Sequence, residues 1–145
     1  ARFIELATEI NGQMPHHVVD KVASMLNEAR LAVNGARILI LGVAYKPDVS
    51  DVRESPAIDV IRLLADRGGE LCYHDPHVAE IAVEGRTYKS VELSDELLAE
   101  ADLVVIVTDH RAIDYQRVTN LAARIFDTRN ATRSVSTGRE KIRKL

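Results

Sequence analysis

Three observations in this 145-residue chain predict an α/β fold: a Rossmann-like parallel sheet flanked by helices and preceded by a long N-terminal helical segment. First, "ARILILGVA" (Ala36–Ala44) and "DLVVIVTD" (Asp102–Asp109) are continuous apolar runs, as strands buried on both faces must be. Second, capped amphipathic stretches separate such runs. Third, strands and helices alternate at the intervals that βαβ units with right-handed crossovers require.

The elements follow in order. Residues 1–31 carry an apolar stripe of Phe3, Leu6, Ala7, Ile10, Met14, Val18, Val22 and Leu26, spaced three or four apart as on one helix face. Pro15 lacks an N–H and clashes with the preceding turn, which predicts a kink, or a break with Pro15 opening a second helix. The stripe has two uses, packing on its own domain or pairing with another subunit. "SPAIDVIRLLADRG" (Ser55–Gly68) predicts a helix with Ser55 as cap, Pro56 in the first helical position and Gly68 or Gly69 as stop. Its predicted apolar face is Ile58, Ile61, Leu64 and Ala65. "ELCYHDP" (Glu70–Pro76) is a second strand closed by Asp-Pro, and "TYKSV" (Thr87–Val91) an edge strand or a loop. "SDELLAEA" (Ser94–Ala101) and "DYQRVTNLAA" (Asp114–Ala123) are short helices, and "RIFDTRN" (Arg124–Asn130) is the last strand. The remaining residues are basic (Arg133, Arg139, Lys141, Arg143 and Lys144 against Glu140), either a C-terminal arm or a frayed end. The resulting divisions are 1–31, 32–131 and 132–145.

Composition narrows the function. Hydrophobic residues at 46% and charged residues at 28% supply a core without disulfides or metals. A formal charge of −3 gives no pull toward nucleic acid or anionic membrane. No apolar run reaches the ~18–20 residues of a membrane span, and no signal-peptide pattern is visible. The single cysteine, Cys72, fits a reducing compartment and predicts a cytoplasmic protein. Asn130-Ala131-Thr132 matches a glycosylation triplet only by chance in that setting. The chain opens on Ala1 inside a helical pattern, which reads as a piece of something longer; a processed small protein is the alternative.

Ligands of open parallel sheets bind beyond the carboxyl ends of the strands. Those ends carry Tyr45, Lys46 and Arg53 after the first strand, Asp75 after the second, Thr108 and Asp109 after the third, and Arg129 after the last. Three cations therefore share one edge with the start of the Ser55 helix, a plausible phosphate site. The competing reading is that Lys46, Asp48, Asp51, Arg53 and Glu54 pair among themselves on a solvated loop. No G-x-G-x-x-G follows the first strand. His16 and His17 adjoin on a helix and point apart, and His74, Asp75 and His77 belong to a strand-ending turn, so no metal site is predicted. Cys72 lies within a strand, with no partner for nucleophilic work.

The stretch "GVAYKPDVSDVRESPA", followed in order by "YHDP", "ADLVVIVTDH" and "FDTRN", resembles the C-terminal domain of the UDP-glucose/GDP-mannose dehydrogenases. "RFIELATEINGQMP" resembles the end of that family's central dimerisation helix, so the likeness spans Arg2 to Asn130. Within the family, "FIELATEIN" and "DTRNAT" look most like bacterial dehydrogenases of UDP-N-acetylhexosamines. The resemblance implies oxidation of a sugar C6 hydroxyl to a carboxylate with NAD, in a cleft between two Rossmann domains, by a homodimer. It implies that Tyr45 and Lys46 line the pocket of the nucleotide sugar, that Arg129 holds the same substrate, and that Arg53 reaches toward the NAD pyrophosphate. The family's nucleophilic cysteine sits in a G-G-x-C motif that this chain lacks, so no catalytic residue is assigned, and the chain by itself is expected to be inactive. A non-catalytic Rossmann-like oligomerisation or regulatory module is the other reading. A phosphate-binding enzyme of another type, such as a ligase subunit, would need a nucleophilic histidine or a glycine-rich loop, and neither is in place.

Overall fold

The computed structural model describes the backbone of residues 2–145 and the side chains of residues 13–145. Five strands form one parallel sheet. They are β1 (Arg37–Leu41), β2 (Glu70–His74), β5 (Leu103–Ile106), β6 (Ile125–Asp127) and β7 (Ile142–Lys144), in the order β2-β1-β5-β6-β7. A separate antiparallel hairpin joins β3 (Glu80–Val83) to β4 (Arg86–Lys89). The helices are α1 (Arg2–Glu28), α2 (Pro56–Asp66), α3 (Asp95–Glu100) and α4 (Tyr115–Leu121). The chain leaves β1 in one direction to reach β2 and returns to β1's other side with β5. The sheet order therefore reverses between β1 and β5, the kind of point where open parallel sheets bind ligands beyond the strand ends.

Alternation along β1 splits the core into two layers. Ile38 and Ile40 face α1 and α2, in a cluster with Val18, Val22, Leu26, Val60, Ile61 and Leu64. Leu39 and Leu41 face α3 and α4, in a cluster with Leu98, Val104, Ile106 and Val118. Both faces are dry, which is why the run reads as continuously apolar.

Three sequence expectations need correction. Helix α1 runs unbroken through Pro15, so no second helix begins there. Its stripe buries Val18, Val22 and Leu26, with Val19 and Met25 added, whereas Met14 is exposed. Phe3, Leu6, Ala7 and Ile10 lie outside the described side chains. Helix α2 turns its face by one position: Ala57, Val60, Ile61 and Leu64 are buried, and Ile58 and Ala65 only partly so. At "TYKSV" the strand alternative holds, as β4, with a partner that its sequence hid. Residues 80–83 are too short and mixed to stand out alone, and the hairpin buries only Ile81, Val83 and Tyr88.

The third correction concerns the basic C-terminal residues, which form neither a free arm nor a frayed end. A 3₁₀ turn (Arg139–Lys141) leads into β7, which pairs in parallel with β6 at the sheet margin. A three-residue strand with two charged positions carries almost no hydrophobic pattern, so only the pairing reveals it.

Candidate functional site

The loop after β1 is held by a buried carboxylate. Asp75, immediately past β2 and 3% exposed, accepts from the backbone N–H groups of Val43 (2.8 Å) and Ala44 (3.2 Å) through Oδ2, and of His77 (2.8 Å) through Oδ1. His110, fully buried past β5, places Nε2 2.8 Å from the same Oδ2. Its Nδ1 lies 2.8 Å from the backbone N–H of Asp48. That N–H can only donate, so Nδ1 accepts and Nε2 carries the proton toward Asp75. Thr108 donates its hydroxyl to the Ala44 carbonyl at 2.8 Å, closing the loop's root from the other side. Gly42 is required here. It has φ +85°, and a Cβ on it would stand 2.5 Å from Thr108 Cβ and 2.8 Å from Thr108 backbone atoms.

Beyond this root the loop opens outward. Tyr45 is exposed, with Lys46 Nζ 5.6 Å from its ring centroid, within cation–π range. Asp51 takes Arg53 in a two-pronged pair, Nε–Oδ1 at 3.1 Å and Nη2–Oδ2 at 2.9 Å, and also accepts the Arg53 backbone N–H at 2.9 Å. These bonds to Arg53 hold the Asp51 carboxyl down at about 2. Asp48 turns away from the loop cations and accepts from Arg111, backbone N–H at 2.9 Å and Nε at 2.7 Å. The loop charges therefore pair among themselves in one case only. Among the described residues neither Lys46 nor Arg129 makes a side-chain hydrogen bond or ion pair. They are the two candidate cations available for a ligand.

Arg129 sits on the turn after β6, two strands from β1. Its turn is organised by a second buried carboxylate. Asp127 accepts the N–H groups of Arg129 (3.0 Å) and Ala131 (3.1 Å) on Oδ1, and the N–H (2.9 Å) and hydroxyl (2.6 Å) of Thr132 on Oδ2. Thr132 thus serves the turn's architecture. Burial alone raises the Asp127 carboxyl; the Thr132 bonds and the Arg129 and Ala131 amides outweigh it, and the group lies below its usual range. Arg129 lines two openings. One is a polar cleft of about 480 Å³ with Thr128, Asn130 and Lys144. The other is a narrower, largely apolar slot with Pro56 at the start of α2, Val107 and Met14. Neither is lined by Tyr45, Lys46 or Arg53, so the structure puts the four candidate residues on one edge without joining them in one pocket.

The same edge tests other chemistry. Asp48, His77 and His110 bring potential ligand atoms within 4.8 Å of one another. Both ring nitrogens of His110 are already engaged, Nδ1 by an N–H and Nε2 by Asp75, so no lone pair is left for a metal. A dinucleotide cradle does not fit either, because the space a phosphate turn needs at Gly42 is filled by Thr108. Arg53, expected to reach toward a cofactor, has a side chain that is 87% exposed and paired with Asp51. Cys72 is half-buried on β2, and burial pushes its thiol up, away from the thiolate a nucleophile requires. His110 is the functional-edge residue that sequence reading passed over. Its signal was its place four residues past the end of β5, beside Asp109, which itself pairs with Arg133 at 2.7 Å.

A parallel sheet whose carboxyl edge carries two cations unpaired among the described residues, with the loop after β1 held by buried Asp75 and the turn after β6 by buried Asp127, defines a Rossmann-like domain. Residues 39–134 match the UDP binding domain of the UDP-glucose/GDP-mannose dehydrogenase family, and the chain belongs to that family. Among curated relatives, it is 33% identical over 140 residues to the UDP-N-acetyl-D-mannosamine dehydrogenase of Methanococcus maripaludis (strain S2), covering 90% of this chain and 30% of that protein. Among solved structures, the UDP-D-ManNAc dehydrogenase of Pyrococcus horikoshii superposes with a TM-score of 0.78 at 26% identity, over 97% of this chain and 32% of that one. The UDP-N-acetyl-mannosamine dehydrogenase Cap5O of Staphylococcus aureus gives 0.77 at 28%, over 99% and 34%. The chain thus spans about a third of the length of each. The expected family and Rossmann-like architecture are borne out. Among the described residues no helix is long and apolar enough to cross a membrane.

Proposed function

We propose that this chain is the nucleotide-sugar-binding domain of an NAD-dependent 6-dehydrogenase acting on a UDP-N-acetylhexosamine. The observation that carries this reading is the pair of unengaged cations, Lys46 and Arg129, on the carboxyl edge of a sheet belonging to this family. A diphosphate needs charge-assisted donors that are not already spent on protein carboxylates. Lys46 supplies a mobile point charge, Arg129 a planar fork, and Tyr45 an apolar ring beside Lys46. The relatives named for UDP-N-acetyl-D-mannosamine support the choice of sugar class.

In this reading the sugar C6 hydroxyl becomes a carboxylate, with NAD as the electron acceptor in both oxidations. Residues of this chain bind and orient the substrate, and the chain alone is inactive. Arg53 lies exposed at the rim and exchanges its Asp51 partner for the pyrophosphate of a cofactor held by another domain. Residues 1–31 belong to a helical region shared between two subunits of a cytoplasmic homodimer. Val18, Val22 and Leu26 are buried in this chain's own core and are not available for that contact, whereas Met14 is exposed. The binding domain then runs from residue 32 through β7.

Calorimetry of the complete enzyme with UDP and with the UDP-sugar tests the assignment. Lys46→Ala and Arg129→Ala should each weaken binding about tenfold or more, as loss of a charge-assisted bond implies. Arg53→Ala should raise the KM for NAD and leave UDP binding intact. Unchanged affinity in both Lys46→Ala and Arg129→Ala would show that the site lies elsewhere.

A further inference from the structure

We propose that His110 is a positioning residue for the nucleotide-binding loop, and that it acts through the Asp48 backbone rather than by touching the ligand. This rests on the reading of Lys46 as a substrate-binding residue. The observations that carry it are geometric. The loop contains two non-glycine residues in the left-handed region, Asp48 (φ 61°) and Glu54 (φ 61°), and such backbone persists only where its surroundings fix it. Asp48 lies two residues past Lys46. Its N–H is taken by His110 Nδ1, and its carboxylate by Arg111 from the following residue. The His110 ring cannot swing to another partner, because Nε2 is tied to Asp75 and its backbone N–H is bonded to the Tyr115 hydroxyl at 3.0 Å. Tyr115 in turn donates to the Thr108 carbonyl at 3.3 Å.

The path is therefore Asp75 to His110 to Asp48, and each link joins a different strand end of the sheet. Asp75 anchors the loop's root at Val43 and Ala44 and orients the imidazole. The imidazole anchors the loop's far side at Asp48. Tyr45 and Lys46 lie between these two anchors, so the span that presents them has both ends fixed to one buried carboxylate. The backbone that carries Lys46 is fixed this way, so the cost of ordering the loop is met in folding rather than at the binding step.

Two substitutions separate the halves of the imidazole. His110→Asn keeps a polar atom near the Nδ1 position, able to accept from Asp48, but falls short of Asp75. His110→Gln reaches Asp75 and leaves the Asp48 N–H without its acceptor. In the complete enzyme His110→Gln should raise the UDP-sugar Kd and KM about tenfold with kcat changed less, and His110→Asn should stay within about threefold of the parent. Thermal unfolding is measured alongside, and a fall in Tm shared by both variants without this split in affinity overturns the proposal.

A double-mutant cycle supplies the decisive comparison. If His110 works through the Lys46 loop, His110→Gln should cost less than about twofold once Lys46→Ala is present. An equal cost in both backgrounds assigns His110 a general folding role and overturns the proposal. Should the histidine variants not fold, the parent protein still answers. The Asp48 amide should be protected from exchange and show a through-hydrogen-bond nitrogen–nitrogen coupling to His110 Nδ1; free exchange at Asp48 is the contrary result. Lys46→Ala with unaltered UDP-sugar binding would refute the substrate reading, whereas a protected Asp48 amide would still report a fixed loop. The two ideas therefore fail separately.

Discussion

Arg143 on β7 grips Glu28 at the end of α1 through two parallel bonds, Nη1–Oε1 at 2.9 Å and Nη2–Oε2 at 2.7 Å, joining residues 115 positions apart. The bonds from Arg143 hold the Glu28 carboxyl below its ordinary value. Both side chains are substantially exposed, so the pair is screened and its Coulomb gain is small. Arg143→Ala should lower Tm by only roughly 1–3 °C, and less still in high salt. Removing residues 142–145 should do more, because it strips β6 of its outer partner and bares three bonded strand positions to water. Thermal scans of both variants at two salt concentrations decide this; a large salt-insensitive drop for Arg143→Ala alone would refute it.

Gly42 and Gly85 give a matched comparison. Both have positive φ, +85° and +76°. At Gly85 a Cβ meets nothing within 4 Å, so Gly85→Ala costs only the left-handed penalty, about 1 kcal/mol. At Gly42 the same atom strikes Thr108 backbone at 2.8 Å, and the strand ends must separate. Gly42→Ala should therefore cost about 3 kcal/mol or more and weaken UDP binding as well. Chemical denaturation with both variants is the measurement, and equal costs would remove the argument.

Cys72 should react slowly. Burial raises its thiol, and only the thiolate attacks alkylating reagents. At neutral pH iodoacetamide should modify the folded protein at least about tenfold more slowly than the urea-unfolded chain. Cys72→Ala should leave ligand binding unchanged. Fast stoichiometric labelling of the native protein would contradict the structure.

What the sequence made legible, and what it hid, follows from the range of the forces involved. The runs at Ala36–Ala44 and Asp102–Asp109 announced buried strands because burial on two faces leaves no room for polar residues. Ser55 and Pro56 announced α2 because capping is a local act: the Ser55 hydroxyl accepts from Ala57 N–H within the same turn. The loop cations could be placed on the sheet edge for the same reason, since they lie directly past a readable strand. Asp48 pairing with Arg111, 63 positions away, could not be read. Nor could His110 holding that loop, nor β7, whose only mark is a partner strand. These depend on contacts between distant segments, which no local pattern encodes.

The turn after β6 should give the protein part of its acid sensitivity. Asp127 is depressed in the folded state despite its burial, because four bonds favour the carboxylate. A depressed folded value means that the unfolded chain binds the proton more readily, so stability rises with pH across the interval between the two values. Above the unfolded carboxyl value, about 3.9, the contribution is complete; it declines as pH falls below that and is gone once pH is under the folded value. Asp127→Asn removes this dependence and opposes amide N–H groups to the donors of Thr132 or Arg129, at a cost of about 1–3 kcal/mol at neutral pH. It should also loosen Arg129 and weaken UDP-sugar binding, while Lys46→Ala leaves the acid limb of stability unmoved. Urea unfolding of parent and variant between pH 2.5 and 7 tests the sign; parallel curves for the two would mean that Asp127 is not the group responsible.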